Sequence, residues 1–192
     1  MTRRQRTLSV AAGLGLALAL LPAARGLTLE LDPQKSRILF TFGATMHEVH
    51  GTMEVEGGRL QYDPATRAAA GRVVVDLTTA TTRNERRDKK MHAKILETHR
   101  YPQAVFTLER VTGAYNAIGQ SDLQVHGTLD FHGATHPVTF PAEVRTENDR
   151  VTARGNLTIP YIQWGLDDPS FLLLRVSKTV DVTLEVAGTL RP

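Results

Sequence analysis

Leu123-Gln124-Val125-His126-Gly127-Thr128-Leu129-Asp130-Phe131 is the stretch whose reading decides the fold. Its odd positions are apolar or glycine and its even positions are polar, a period of two that belongs to a half-buried strand and not to a helix. The strand does not stand alone. Gly133-Ala134-Thr135 turns the chain into Val138 to Val144, and Asn148-Asp149 turns it again into Val151 to Ile159. A last strand is expected over Val176 to Leu190, with Val180, Val182, Leu184 and Val186 on one side.

Working outward toward the N-terminus gives the same pattern. Val105 to Val111 and the Val- and Thr-rich Gly71 to Thr79 are good strand material. Ser36 to Ala44 places Ile38, Phe40, Phe42 and Ala44 on one face, and Met46 to Val55 places Val49, Gly51, Met53 and Val55 on one face. Gly57-Gly58 and Asp63-Pro64 read as turns, with Arg59 to Tyr62 a short strand between them. Leu27 to Leu31 opens the series and ends at the turn signal Asp32-Pro33. Eight or nine antiparallel strands on short turns, within one domain, predict an all-β closed up-and-down barrel or a sandwich.

One segment breaks the strand pattern. Arg87 to Arg100 reads as a helix that ends before Tyr101-Pro102, entered through Thr82 or Asn84 as cap. At about 100° per residue, Asp88 and His92 fall inside the apolar stripe of Met91, Ile95 and Leu96, while Lys90, Lys94 and Glu97 take the solvent side. A buried Asp and His one turn apart must be satisfied by each other or by a partner. They form either a pin that holds the helix to the sheet or a site for a ligand.

Residues 1–26 are set apart as an export leader: Arg3, Arg4 and Arg6 precede an uncharged run from Leu8 to Leu21, and small residues precede Leu27. The run is short for a membrane helix, and no second span follows, so no stable membrane insertion is expected after cleavage. Four of the 23 basic residues lie in this leader. The remaining domain, 27–192, therefore holds 19 basic against 20 acidic residues, and its formal charge moves from +3 to −1. That balance removes the argument for a nucleic-acid partner. The absence of cysteine excludes disulfides and a lipoprotein anchor.

Several motifs then stand in a recognisable order: Ser36-x-Ile38-x-Phe40, Val49-x-Gly51-x-Met53, Arg87-Asp88-x-x-Met91, Tyr101-Pro102-x-x-x-Phe106, and Val125-x-Gly127-x-Leu129-x-Phe131-x-Gly133-x-Thr135-x-Pro137-Val138. With them the chain resembles the YceI-like family over nearly all of residues 27–192. The resemblance implies a periplasmic, lipocalin-like antiparallel barrel of about eight strands, with one helix packed against it around a long apolar cavity. It implies a binding or carrier protein for a polyisoprenoid or isoprenoid quinone. Two departures are visible: Ala44 stands where the family often has histidine, and Tyr161 to Ser170 forms a segment of its own.

The expected ligand-binding residues are Ile38, Phe40, Phe42, Leu129 and Phe131 on the strands, Asp88, Met91 and His92 on the helix, and Trp164 at the barrel mouth, where a headgroup would sit. No nucleophile elbow, phosphate loop or dinucleotide fingerprint is present, so no catalytic residue and no cofactor is assigned. Seven histidines, among them the close pairs His47/His50 and His132/His136, raise a metal reading, but none completes a ligand set with metal spacing. The rival function is a periplasmic metal- or haem-associated protein centred on Asp88 and His92. Oligomeric state is not encoded in any motif, which leaves room for a homodimer.

Overall fold

The computed structural model describes residues 26–45, 47–170 and 175–191. Apart from Gly26, the expected leader lies outside these residues, as does Met46. Among the described residues there are nine strands: β1 (Leu27–Leu31), β2 (Arg37–Ala44), β3 (His47–Tyr62), β4 (Ala68–Thr81), β5 (Gln103–Gly113), β6 (Gly119–Phe131), β7 (Ala134–Glu147), β8 (Arg150–Ile159) and β9 (Val180–Arg191). All pair antiparallel. Each strand from β2 to β9 pairs with the next in sequence, and β2 also pairs with β9. The sheet is thus closed, and the sandwich alternative is excluded.

The nine segments make eight staves, because β1 and β2 lie end to end. Leu27 pairs with Tyr62 and Glu30 with Arg59, and then Arg37 pairs with Glu54 and Ala44 with His47, all on β3. Pro33–Lys35 interrupts this first stave with one 3₁₀ turn, which the Asp32 carboxylate caps by accepting from the Gln34 N–H at 3.1 Å. Ser36 is buried at the break, and its Oγ exchanges hydrogen bonds with both backbone groups of Ala187 on β9. The break is therefore fastened to the neighbouring strand and leaves no buried polar group unpaired.

The period-two faces point the apolar residues inward. Gly51, Gly127 and Gly155 stand on these faces because a Cβ at any of them would run into the ring of Phe40, Phe106 or Phe140, respectively. Each phenylalanine lies across a glycine of the adjacent strand, which supports close strand coiling and fills the barrel where the glycine leaves room. Phe106 and Phe140 also meet edge-on, with centroids 5.6 Å apart.

Gly57-Gly58 is not the turn that the sequence suggested. Both residues run inside the 16-residue β3, which joins two expected strands into one. A Cβ on Gly58 would lie 2.8 Å from Leu31 Cδ1 and 3.0 Å from the Arg72 carbonyl, and the pairing slips between Val55 and Gly57. The glycines serve a close approach and a bulge. The turns at Asp63-Pro64 and Asn148-Asp149 hold, while the one expected over Gly133-Ala134-Thr135 falls one residue earlier, with Ala134 and Thr135 already paired in β7. His132 and Gly133 both have positive φ, 51° and 79°, in the two-residue β6–β7 hairpin. Asn148, at φ 57°, turns β7 into β8.

Between β4 and β5 the chain forms α1 (Glu85–Lys90), with Asn84 as its cap, accepting from the Arg87 N–H at 3.0 Å. The regular helix expected to run on toward Tyr101 instead widens to a π turn over Met91–Ile95. The Leu96 N–H bonds to the Met91 carbonyl at 2.8 Å, and the chain leaves the helix at Glu97, φ 44°.

Candidate functional site

A cavity of about 520 Å³ opens inside the barrel. This is within the range of roughly 300–1,000 Å³ typical of small-molecule sites. Its wall is built from the inward positions of eight strands, β2 to β9. Ile38, Phe40 and Phe42 come from β2, Met53 from β3, Val73, Val75 and Leu77 from β4, Phe106 from β5, Leu129 and Phe131 from β6, Phe140 from β7, Leu157 and Ile159 from β8, and Val182 from β9. Residues two apart on a strand share a face, which is why so few sequence stretches supply so much of one wall. The five strand residues expected at the ligand all lie here.

The helical segment covers the end of the barrel that also holds the β2–β3 and β6–β7 hairpins. Met91, Ile95 and Leu96 face the cavity together. The π turn contributes to this, since its extra residue carries Leu96 toward the side on which Met91 and Ile95 lie.

Asp88 and His92 do not line the cavity, and they are not bonded to each other. The Asp88 carboxylate accepts the Thr81 hydroxyl at 2.8 Å, the Thr82 N–H at 2.9 Å and the Thr82 hydroxyl. Burial raises its pKa, but the Thr82 and Thr81 hydrogen bonds outweigh that effect and hold it below the ordinary 3.8. The His92 Nε2–H donates to the Ala80 carbonyl at 2.8 Å, which leaves Nδ1 as the acceptor for the Thr98 hydroxyl at 3.3 Å. With both ring nitrogens engaged, His92 offers no lone pair to a metal. The two residues fasten the helix to the end of β4 through separate partners. Arg87 adds to the same joint, donating from Nε to Thr82 Oγ1 at 2.7 Å and from Nη2 to the Thr82 carbonyl at 3.2 Å.

Across the same end runs the segment that follows β8. Tyr161 and Leu166 are buried and line the cavity. The Tyr161 hydroxyl donates to the Ser177 carbonyl at 2.7 Å, and burial, with the nearby Asp168 charge, raises its pKa to about 12. Trp164 is not in the cavity wall. Its ring stacks on His136 at 3.9 Å and 5°, and meets Phe131 edge-on at 6.3 Å. Gly165, at φ 93°, ends the turn that sets it there.

The polar part of the lining comes from elsewhere: Asn84, Arg86, Arg87 and Lys90 on the helical segment, and His47 in the β2–β3 hairpin. Lys90, assigned to the solvent side by the helical wheel, reaches the Pro169 carbonyl at 3.3 Å across the opening. Glu97, assigned to the same side, stands 3.1 Å from His132 Nε2. A wheel divides a helix into two sides, but this short segment is faced by other chain on more than one. Among the described residues, no group of three or more His, Asp and Glu side chains could hold a metal ion.

Solved structures share this architecture. BcnA of Burkholderia cenocepacia superposes with a TM-score of 0.69 at 20% identity, over 83% of this chain and 99% of that one. A polyisoprenoid-binding domain from Saccharophagus degradans, implicated in plant cell wall breakdown, gives 0.65 at 22% identity, over 85% and 98%. In sequence, a UPF0312 protein of Pseudomonas putida is 27% identical, with 92% of this chain and 95% of the relative covered. The family model described as the YceI-like domain matches residues 29–188, from β1 into β9, and so takes in every wall of the cavity. This chain belongs to the YceI-like family.

Proposed function

We propose that this protein is a periplasmic binding or carrier protein, not an enzyme, that holds the tail of an isoprenoid-type lipid inside its barrel. The observation that carries the reading is the cavity itself, a tube lined by aliphatic and phenylalanine side chains and polar only at the end under the helical segment. An apolar tail gains about 0.8 kcal/mol for each CH₂-sized group removed from water. Ten such groups give roughly 8 kcal/mol before ordering costs, enough for useful affinity in a preformed tube. The structural neighbour from Saccharophagus degradans, described as polyisoprenoid-binding, supports an isoprenoid over other apolar ligands. The leader pattern of residues 1–26 supports export, with a mature chain that begins at or near Leu27. The rival centred on Asp88 and His92 loses its ground, because both side chains are committed to β4 and to Thr98.

The test is a native mass spectrum of the protein purified from its own cell envelope, followed by organic extraction. A co-purifying prenyl lipid, lost on extraction, is the expected result. Folded protein with no lipid, and no uptake of added prenyl compounds, would refute the reading.

A further inference from the structure

The charges around the cavity are all of one sign. Among the described residues, Arg86, Arg87 and Lys90 line it, with Asn84 and His47 beside them, and no Asp or Glu does. This is unexpected in a domain with 19 basic and 20 acidic residues. Nor are the cations neutralised by neighbours, since none of the three is in an ion pair among the described residues. The Arg86 side chain has no hydrogen-bonding partner among them. Lys90 Nζ has only the Pro169 carbonyl, and Arg87 is steadied by Thr82 through Nε and Nη2 with Nη1 uncommitted. Asp88 and Asp168 are engaged elsewhere, and Glu85, beside Arg86 in α1, does not line the cavity. Asp88 is filled by three donors from Thr81 and Thr82, and Asp168 accepts from the Ser170 N–H at 2.9 Å.

Resting on the reading of an apolar tail in the tube, we propose that the preferred ligand carries an acidic headgroup, of carboxylate or phosphate type, held by Arg86, Arg87 and Lys90. Arginine forks and a lysine ammonium make charge-assisted hydrogen bonds to such a group, and they make weaker ones to a hydroxyl or a quinone carbonyl. Arg87 supplies orientation, because its guanidinium is already fixed. Arg86 and Lys90 are exposed and supply attraction that salt screens. The headgroup therefore selects among ligands with the same tail, and the tail supplies most of the affinity.

The experiment compares farnesoic acid, farnesol and acetate, titrated against the full mature chain after lipid extraction. These share a tail, a headgroup or neither. The acid should bind about tenfold tighter than the alcohol at low salt, with the gap closing as salt rises. Acetate should bind far more weakly than either. The double variant Arg86→Gln/Lys90→Gln keeps Arg87 and should narrow the gap, weakening farnesoic acid more than farnesol, a selective readout that a mere folding defect would not give. Equal affinity for acid and alcohol, or a gap undiminished in the double variant, overturns the headgroup assignment and leaves the carrier reading intact. Acetate binding as tightly as farnesoic acid would make this a free-anion site and overturn it too. Failure of both prenyl compounds to bind would remove the carrier reading and this inference together.

Discussion

Asp88 receives hydrogen bonds from three donors and faces no cation in an ion pair among the described residues. Its replacement by alanine strands the Thr82 N–H and both hydroxyls at a partly buried joint. Asp88→Ala should therefore cost about 1–3 kcal/mol, measured by urea unfolding at neutral pH. Because the folded-state pKa lies below 3.8, the native protein binds fewer protons here than the unfolded chain does. The contribution is present above the unfolded value and is lost as pH falls through the folded one, so it disappears in the acid range below about pH 4. Asp88→Asn should flatten that part of the stability–pH curve. His92→Ala should add to Asp88→Ala with little coupling, since the two share no bond. A coupling as large as the smaller single effect would contradict separate anchoring. At the alkaline end, Tyr161 should resist ionisation until about pH 12, seen as a late step in ultraviolet titration that Tyr161→Phe removes.

At the scale of elements, the device to test is the phenylalanine laid across a glycine. Gly51→Ala places a methyl group inside the Phe40 ring, and Phe40 is both core and cavity wall. The substitution should cost about 1–3 kcal/mol by overpacking and should also change the shape of the tube, measurable as a fall in midpoint denaturant with altered ligand affinity. The strands were legible for a simple reason. A period of two survives in residues such as Leu123 to Phe131 whatever the rest of the molecule does, and positive-φ turns such as Asn148 announce themselves. Gly57-Gly58 misled because a glycine pair signals either a turn or a close approach, and only the position of Leu31 across from Gly58 decides between them. The helix was legible as an element but not in its geometry. Its π turn and its contacts with Pro169 and His132 depend on segments far away in sequence. The basic rim was missed for the same cause: Arg86 and Lys90 are ordinary surface residues until the fold sets them over a cavity.

At the scale of the whole molecule, closure of eight staves leaves no free edge and one apolar interior, and the helical segment with the Tyr161–Leu166 turn covers one end of it. Phe42→Asp and Phe131→Asp put a charge into the wall and should lower tail affinity by at least about tenfold, while the exposed Lys94→Ala, outside the lining, should change it little. Where an aspartate variant is too unstable to assay, Phe42→Ser keeps the comparison. The most direct measurement is a titration of lipid-free protein comprising residues 27–192 with prenyl alcohols of increasing length. Affinity should rise with each added unit until the tube is full and then level off. Affinity independent of tail length, or no binding at any length, would contradict the claim that the barrel interior is the binding site.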